Sequence, residues 1–170
     1  MRVVLVRHSI SAVDPETSPH TWGLTDEGHA KAAALDLAGL RLLAGPEPKL
    51  AQTLAPHGDV EVDARYAESH SEGWLGAEEF RAAVEHYFAG EEPAPGWERA
   101  ADVVERFTLV DGAAICSGGR AISAVVAHHT GCDGFALWQT LSMPDVIVLD
   151  QDDRGRWVAS PPCERGTSEP

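Results

Sequence analysis

Near the start of the chain an apolar run, Val3-Val4-Leu5-Val6, breaks into Arg7-His8-Ser9. The run reads as a buried strand, so a cation and an imidazole sit together at its carboxyl end. In open α/β sheets that is where ligands bind. Arg7 can fork two oxygens of a phosphate, and His8 can act as a nucleophile. The pair suits an anionic substrate. Leu24-Thr25-Asp26-Glu27-Gly28 follows shortly after, with Thr25 in the role of helix N-cap.

This order resembles the histidine phosphatase superfamily, the phosphoglycerate mutase-like proteins, whose signature is a strand, Arg-His-Gly and a Leu-Thr-x-x-Gly helix start. The likeness runs over roughly residues 2–150, with Ser9 in place of the glycine. It implies an α/β fold, a three-layer αβα sandwich with a mostly parallel central sheet. It implies that His8 attacks phosphorus and carries the phosphoryl group transiently while Arg7 clamps it.

The same resemblance assigns further residues. Lys49, in Gly45-Pro46-Glu47-Pro48-Lys49-Leu50-Ala51-Gln52-Thr53, stands where many members have a second phosphate-binding arginine. Lysine keeps the charge and loses the fork. Glu68, in Arg65-Tyr66-Ala67-Glu68, matches the acid that protonates the leaving oxygen, with Glu72 as a nearby rival. Ser9, Trp22 and His70 are lesser candidates for the substrate pocket. Trp22 and Trp74 fall in the two loops expected to cover the site and could shape it for an organic group.

The departure is Ser117. In Ile115-Cys116-Ser117-Gly118-Gly119-Arg120 it stands where the superfamily has a second histidine. A serine can donate a hydrogen bond to phosphate but cannot carry positive charge. Losing a group aimed at developing charge costs on the order of 10²–10³ in rate. The Ser117-Gly118-Gly119 turn still offers backbone N–H groups at a helix start, so Ser117 and Gly118 are expected to bind phosphate. Arg120 lies one helical turn in, and His70 is close to Glu68 in sequence; His128 and His129 lie at the far end of the helix.

Each residue also has a plainer reading. His8 could cap a strand end, Arg7 could make a surface salt bridge, and Glu68 could be a solvated loop glutamate. Lys49 could be a solvated lysine at a helix start, where the macrodipole mildly disfavours it. The tryptophans could be anchors of core or loop. The adjacency of Arg7 and His8, with the later segments in order, favours the chemical reading of that pair; both readings of Lys49 stay open, and each tryptophan alone is expected to be an anchor.

Other motifs fail on spacing. Cys116 and Arg120 are too close for a loop that wraps a phosphate. Ile115 stands where the first glycine of a G-x-S-x-G elbow belongs. Asp150, Asp152 and Asp153 lack the spacing and final glutamate of a calcium loop.

At 170 residues the chain fits one domain, expected over 1–159, with residues 160–170 as a flexible tail. A net charge of −14 argues against nucleic-acid and anionic-membrane partners. Cys116, Cys132 and Cys163 form no C-x-x-C pair, so reduced thiols are expected. Met1-Arg2 leads directly into the first strand, which argues against a secretory leader and for the cytoplasm. No cofactor and no metal are expected, and oligomeric state is left open.

The positioning elements follow from pattern. Strands are expected at 2–7, 41–44, 60–62 and 113–116, with a terminal hairpin from 146–149 and 157–158. Helices are expected at 30–40, from 49, at 77–88, at 97–108 and from 119 to about 129. Two functions fit. One is a metal-independent phosphatase acting on a small phosphomonoester through phosphohistidine at His8, weakened by Ser117. The other is a non-catalytic or repurposed member that binds an anionic or phosphorylated small molecule.

Overall fold

The strand β1 (Arg2–Arg7) is apolar on both faces because it is covered on both. Val3 and Leu5 face one core cluster, Val4 and Val6 the other. Such a strand belongs in the interior of a sheet flanked by helical layers. The structure, a computed structural model, describes residues 1–69 and 75–163.

Five more strands complete the sheet: β2 (Arg41–Ala44), β3 (Val60–Val62), β4 (Ala113–Ser117), β5 (Asp145–Gln151) and β6 (Trp157–Ser160). Their order is β3-β2-β4-β1-β5-β6. The first four run parallel, while β5 lies antiparallel to β1 and β6 antiparallel to β5. Leu5 pairs with Ile115 on one side and Ile147 on the other, which centres β1 in the sheet.

The helices are α1 (Asp26–Ala33), α2 (Pro48–Leu54), α3 (Ala77–Ala89), α4 (Ala100–Arg106), α5 (Gly119–Thr130) and α6 (Gly134–Thr140). Leu50 and Leu54 of α2 pack on the Val4–Val6 face, and Ile122, Val125 and Val126 of α5 pack on the Val3–Leu5 face. A third cluster, centred on Val84, Tyr87 and Trp97, joins α3 to Ala124 of α5. Among the described residues, no helix is long and apolar enough to cross a membrane.

Three helix expectations change. The first helix ends at Ala33 rather than Leu40, because the chain unwinds after Ala34 to sink Leu37 into the core and turns at Gly39, φ 76°. Tertiary burial overrides an alanine-rich propensity there. The helix expected from Trp97 begins at Ala100, because Trp97 is drawn into the aromatic cluster and its N–H closes a turn to Ala94. The helix α6 was not anticipated. Asp133 caps it with hydrogen bonds of 2.9 Å from the N–H groups of Phe135 and Ala136, and Gly134 lets it approach Phe88 closely.

At the other end, β6 includes Ser160, and the half-buried Cys163 packs against the core. All three cysteines are free thiols.

Candidate active site

Parallel pairing puts the ends of β1 and β4 side by side, Arg7 beside Ser117, and the His8 N–H donates to the Ser117 carbonyl. The loops after both strands open there into a cavity of about 270 Å³. Arg7, His8, Lys49, Glu68, Gly118 and Trp22 all line it. Residues 7, 8, 49, 68 and 118, drawn from four separate segments, therefore lie around one cavity.

His8 is held from both sides. Its Nδ1 lies 2.7 Å from the Ser9 carbonyl and its Nε2 3.1 Å from Glu68 Oε1. A carbonyl only accepts, so Nδ1 carries a hydrogen and Nε2 is the nitrogen turned to the carboxylate. Glu68 also meets Lys49 Nζ at 2.6 Å through Oε2. Burial alone would raise the Glu68 carboxyl, but the hydrogen bond and charge of His8, with the Lys49 ammonium, outweigh it and hold it at about 2.

Lys49 is almost fully buried. Its ammonium donates to the Pro19 carbonyl at 2.9 Å and lies 5.6 Å from the Trp22 ring centroid. Arg7 donates through Nη1 to the Leu141 carbonyl, and its buried Nε has no partner. Burial lowers the Arg7 guanidinium from its ordinary value while Asp145 and Glu68 act the other way. A cation stripped of water, with an unmet donor, is prepared for an anion.

Two glycines set the approach of these groups. A Cβ on Gly118 would stand 2.7 Å from Glu68 Oε1, and one on Gly119 3.0 Å from Arg7 Nε. Both positions must stay bare for the carboxylate and the guanidinium to lie over the turn.

Ser117 and Ser9 are placed differently from the cavity residues. Ser117 is fully buried and its hydroxyl donates to the Ala67 carbonyl at 3.2 Å. The Ser9 hydroxyl donates to the Gly28 carbonyl at 2.8 Å, and its N–H donates to the Thr53 hydroxyl oxygen of α2 at 3.0 Å. Neither lines the cavity. Ser9 acts on His8 only through its carbonyl. His70, with Glu72 and Trp74, lies outside the described residues.

Of the rest of the wall, sequence placed Arg120 beside the pocket but did not assign the aromatic residues to it. Phe80, Trp97, Trp138 and Arg120 come from α3 through α6 and face the same cavity. Behind Glu68, Arg106 forks Glu98 at 2.8 and 2.9 Å and donates to the carbonyls of Arg65, Ala67 and Glu68. Glu47 Oε1 meets the Glu68 N–H at 3.2 Å and His20 Nδ1 at 3.3 Å, and that bond raises the His20 imidazole.

Among the described residues one group could donate to a metal: His20, Glu47 and Glu68, with donor atoms within 4.8 Å of one another. The Lys49 ammonium already supplies a positive charge at Glu68, and a dication beside it would be repelled.

No family model matches the sequence, and no curated protein matches it significantly. Solved structures do match in fold. A mycobacterial glucosyl-3-phosphoglycerate phosphatase in complex with VO3 gives a TM-score of 0.72 at 17% identity, covering 97% of this chain and 99% of that one. A structure described as mycobacterial hydrolase 1 gives 0.70 at 18% identity, covering 93% and 95%. The chain has a phosphoglycerate mutase-like fold. A putative alpha-ribazole-5'-P phosphatase from Escherichia coli shares it at a TM-score of 0.68 and 14% identity, covering 100% and 99%. These phosphatase neighbours belong to the histidine phosphatase superfamily. Within this phosphoglycerate mutase-like fold, His8 and its companions occupy the carboxyl end of the central strand, the general ligand position of open α/β sheets.

Proposed function

We propose that the protein is a metal-independent phosphomonoesterase working through a phosphohistidine at His8. The observation that carries this reading is the contact of His8 Nε2 with Glu68 Oε1, 3.1 Å apart, across which a proton can pass, in a cavity lined by Arg7 and Lys49. A phosphate dianion entering between the cations repels the carboxylate and favours its protonated form. The proton passes to Glu68, and the Nε2 lone pair is released towards phosphorus.

In the first step Nε2 forms a bond to phosphorus as the P–O bond to the alcohol breaks. Glu68 gives its proton to the departing oxygen. In the second step water attacks the phosphohistidine, Glu68 takes the water's proton, and the P–N bond breaks to free His8 and inorganic phosphate. Arg7, Lys49 and the Gly118 turn offset the charge on the phosphoryl oxygens. The reduced cysteines fit a cytoplasmic protein.

The test is hydrolysis of an aryl phosphate by wild type and His8→Ala, with acid quench to trap labelled phosphohistidine. Turnover and label that vanish in His8→Ala support the reading. Turnover that survives in His8→Ala overturns it.

Ser117 favours a second reading, a repurposed member that binds an anionic small molecule without turning it over. Its hydroxyl is engaged by Ala67, so it brings no cation to the strand end. Tight phosphate binding with no His8-dependent hydrolysis of any ester would establish that reading instead.

A further inference from the structure

Among the described residues, Arg120 is a buried cation with one hydrogen-bond donor group left unmet. It is the second residue of α5 and only 8% exposed. Its guanidinium lies 3.8 Å from the Trp97 ring centroid, with Phe80 and Tyr87 at 5.6 and 5.8 Å. Nη2 donates to the Ser69 carbonyl at 2.7 Å, while Nη1 is buried with no hydrogen-bond partner. The two carboxylates that act on it electrostatically are engaged elsewhere: Glu68 by His8 and Lys49, Glu98 by Arg106. Burial lowers the guanidinium to about 10, so it remains charged at neutral pH.

Burying a charge is costly unless an opposite charge and hydrogen bonds meet it. Aromatic faces offset part of that cost, but they leave the in-plane Nη1 donor unmet. Arg120 lines the same cavity as His8, and the wall it shares with Phe80, Trp97 and Trp138 is aromatic, its rings tilted to one another by 54–57°. The cavity thus has two cationic ends. One is the Arg7 and Lys49 pair beside the nucleophile; the other is Arg120, fixed by stacking.

We propose that Arg120 determines specificity by taking a second anionic group, a carboxylate or a second phosphate, on the alcohol portion of the substrate, whose aromatic or apolar body lies against Phe80, Trp97 and Trp138. The substrate class is then a small doubly anionic phosphate ester with an aromatic or apolar body. This deepens the phosphatase reading and rests on it for the word substrate, but the recognition itself is a binding property.

The test uses probes that cannot be hydrolysed. Phenylphosphonate, the isomeric carboxyphenylphosphonates and phenylenediphosphonates are titrated calorimetrically into wild type, Arg120→Met and Arg120→Lys at one pH and ionic strength. The readout is the affinity ratio of each doubly anionic probe to phenylphosphonate in the same protein, so a general loss of binding cancels. Wild type is expected to favour at least one doubly anionic isomer by about 10- to 100-fold, the range of a charge-assisted hydrogen bond. Arg120→Met should bring that ratio close to one, and Arg120→Lys should retain part of it. The carboxylate and phosphonate series show which anion is taken. A wild-type ratio near one for every isomer overturns the proposal without any variant, as does a preference that survives Arg120→Met. Selective binding without His8-dependent hydrolysis would remove the phosphatase reading and leave this one standing; hydrolysis without selectivity would do the reverse.

Discussion

Gly118 lies directly beneath Glu68, so near that a methyl group on it would stand 2.7 Å from the carboxylate oxygen that meets His8. The bare backbone at 118 is what lets the Glu68 carboxylate reach His8. Gly118→Ala is therefore expected to displace Glu68 and lower kcat/KM by about 10²-fold, the scale of a misplacement near 1 Å. Steady-state kinetics on an aryl phosphate, with a melting curve to show a retained fold, check this. Activity within threefold of wild type would mean that the contact does not constrain the acid.

Arg106 holds the same acid from behind, through three backbone carbonyls and the Glu98 fork. Arg106→Met should destabilise the protein by about 1–3 kcal/mol and lower kcat roughly tenfold. Arg106→Lys should recover only part, because an ammonium cannot fork. A loss of stability with unchanged kcat would assign Arg106 to the fold alone.

The Glu68 carboxyl sits at about 2 in the fold against an ordinary value of 4.5. The folded value is the lower one, so its ion pairs stabilise the protein above about pH 4.5, and that contribution is lost as the pH falls towards 2. Denaturant unfolding of wild type and Glu68→Gln at pH 7, 5 and 3 should show a gap that narrows with falling pH. A gap independent of pH would place the carboxylate outside these pairs.

Ser117 points its hydroxyl at Ala67 and not into the cavity. Ser117→Ala should lose about 1 kcal/mol of stability and leave the calorimetric affinity for inorganic phosphate within about twofold. A much weaker phosphate affinity would show that the hydroxyl turns to the ligand.

Sequence carried the site residues that belong to short local patterns. Arg7 and His8 end an apolar strand and Gly118 opens a helix, so type and spacing point to them, whereas Lys49 came only from the family resemblance of its segment. The strands were legible for the same reason, each being a brief apolar run between turn residues. Phe80, Trp97 and Trp138 resisted because their meeting with Arg120 depends on how α3, α4, α5 and α6 pack. A tryptophan carries no local mark that tells a cavity wall from a core. The shortened α1 had a similar cause, since the burial of Leu37 is a long-range event that no alanine count reveals.

The central position of β1 has a temporal consequence. Val4 is flanked by Ala114 and Val148, so the earliest strand to be synthesised finds its partners among the latest. At about 5–20 residues per second on the ribosome, roughly ten seconds pass before His8 has a neighbouring strand on either side. Such long-range pairing makes folding slow. The nascent chain carries His8 long before it can hold it in place, and a chain cut off before the C-terminal hairpin would keep every motif of the N-terminal half with no formed centre to show for it.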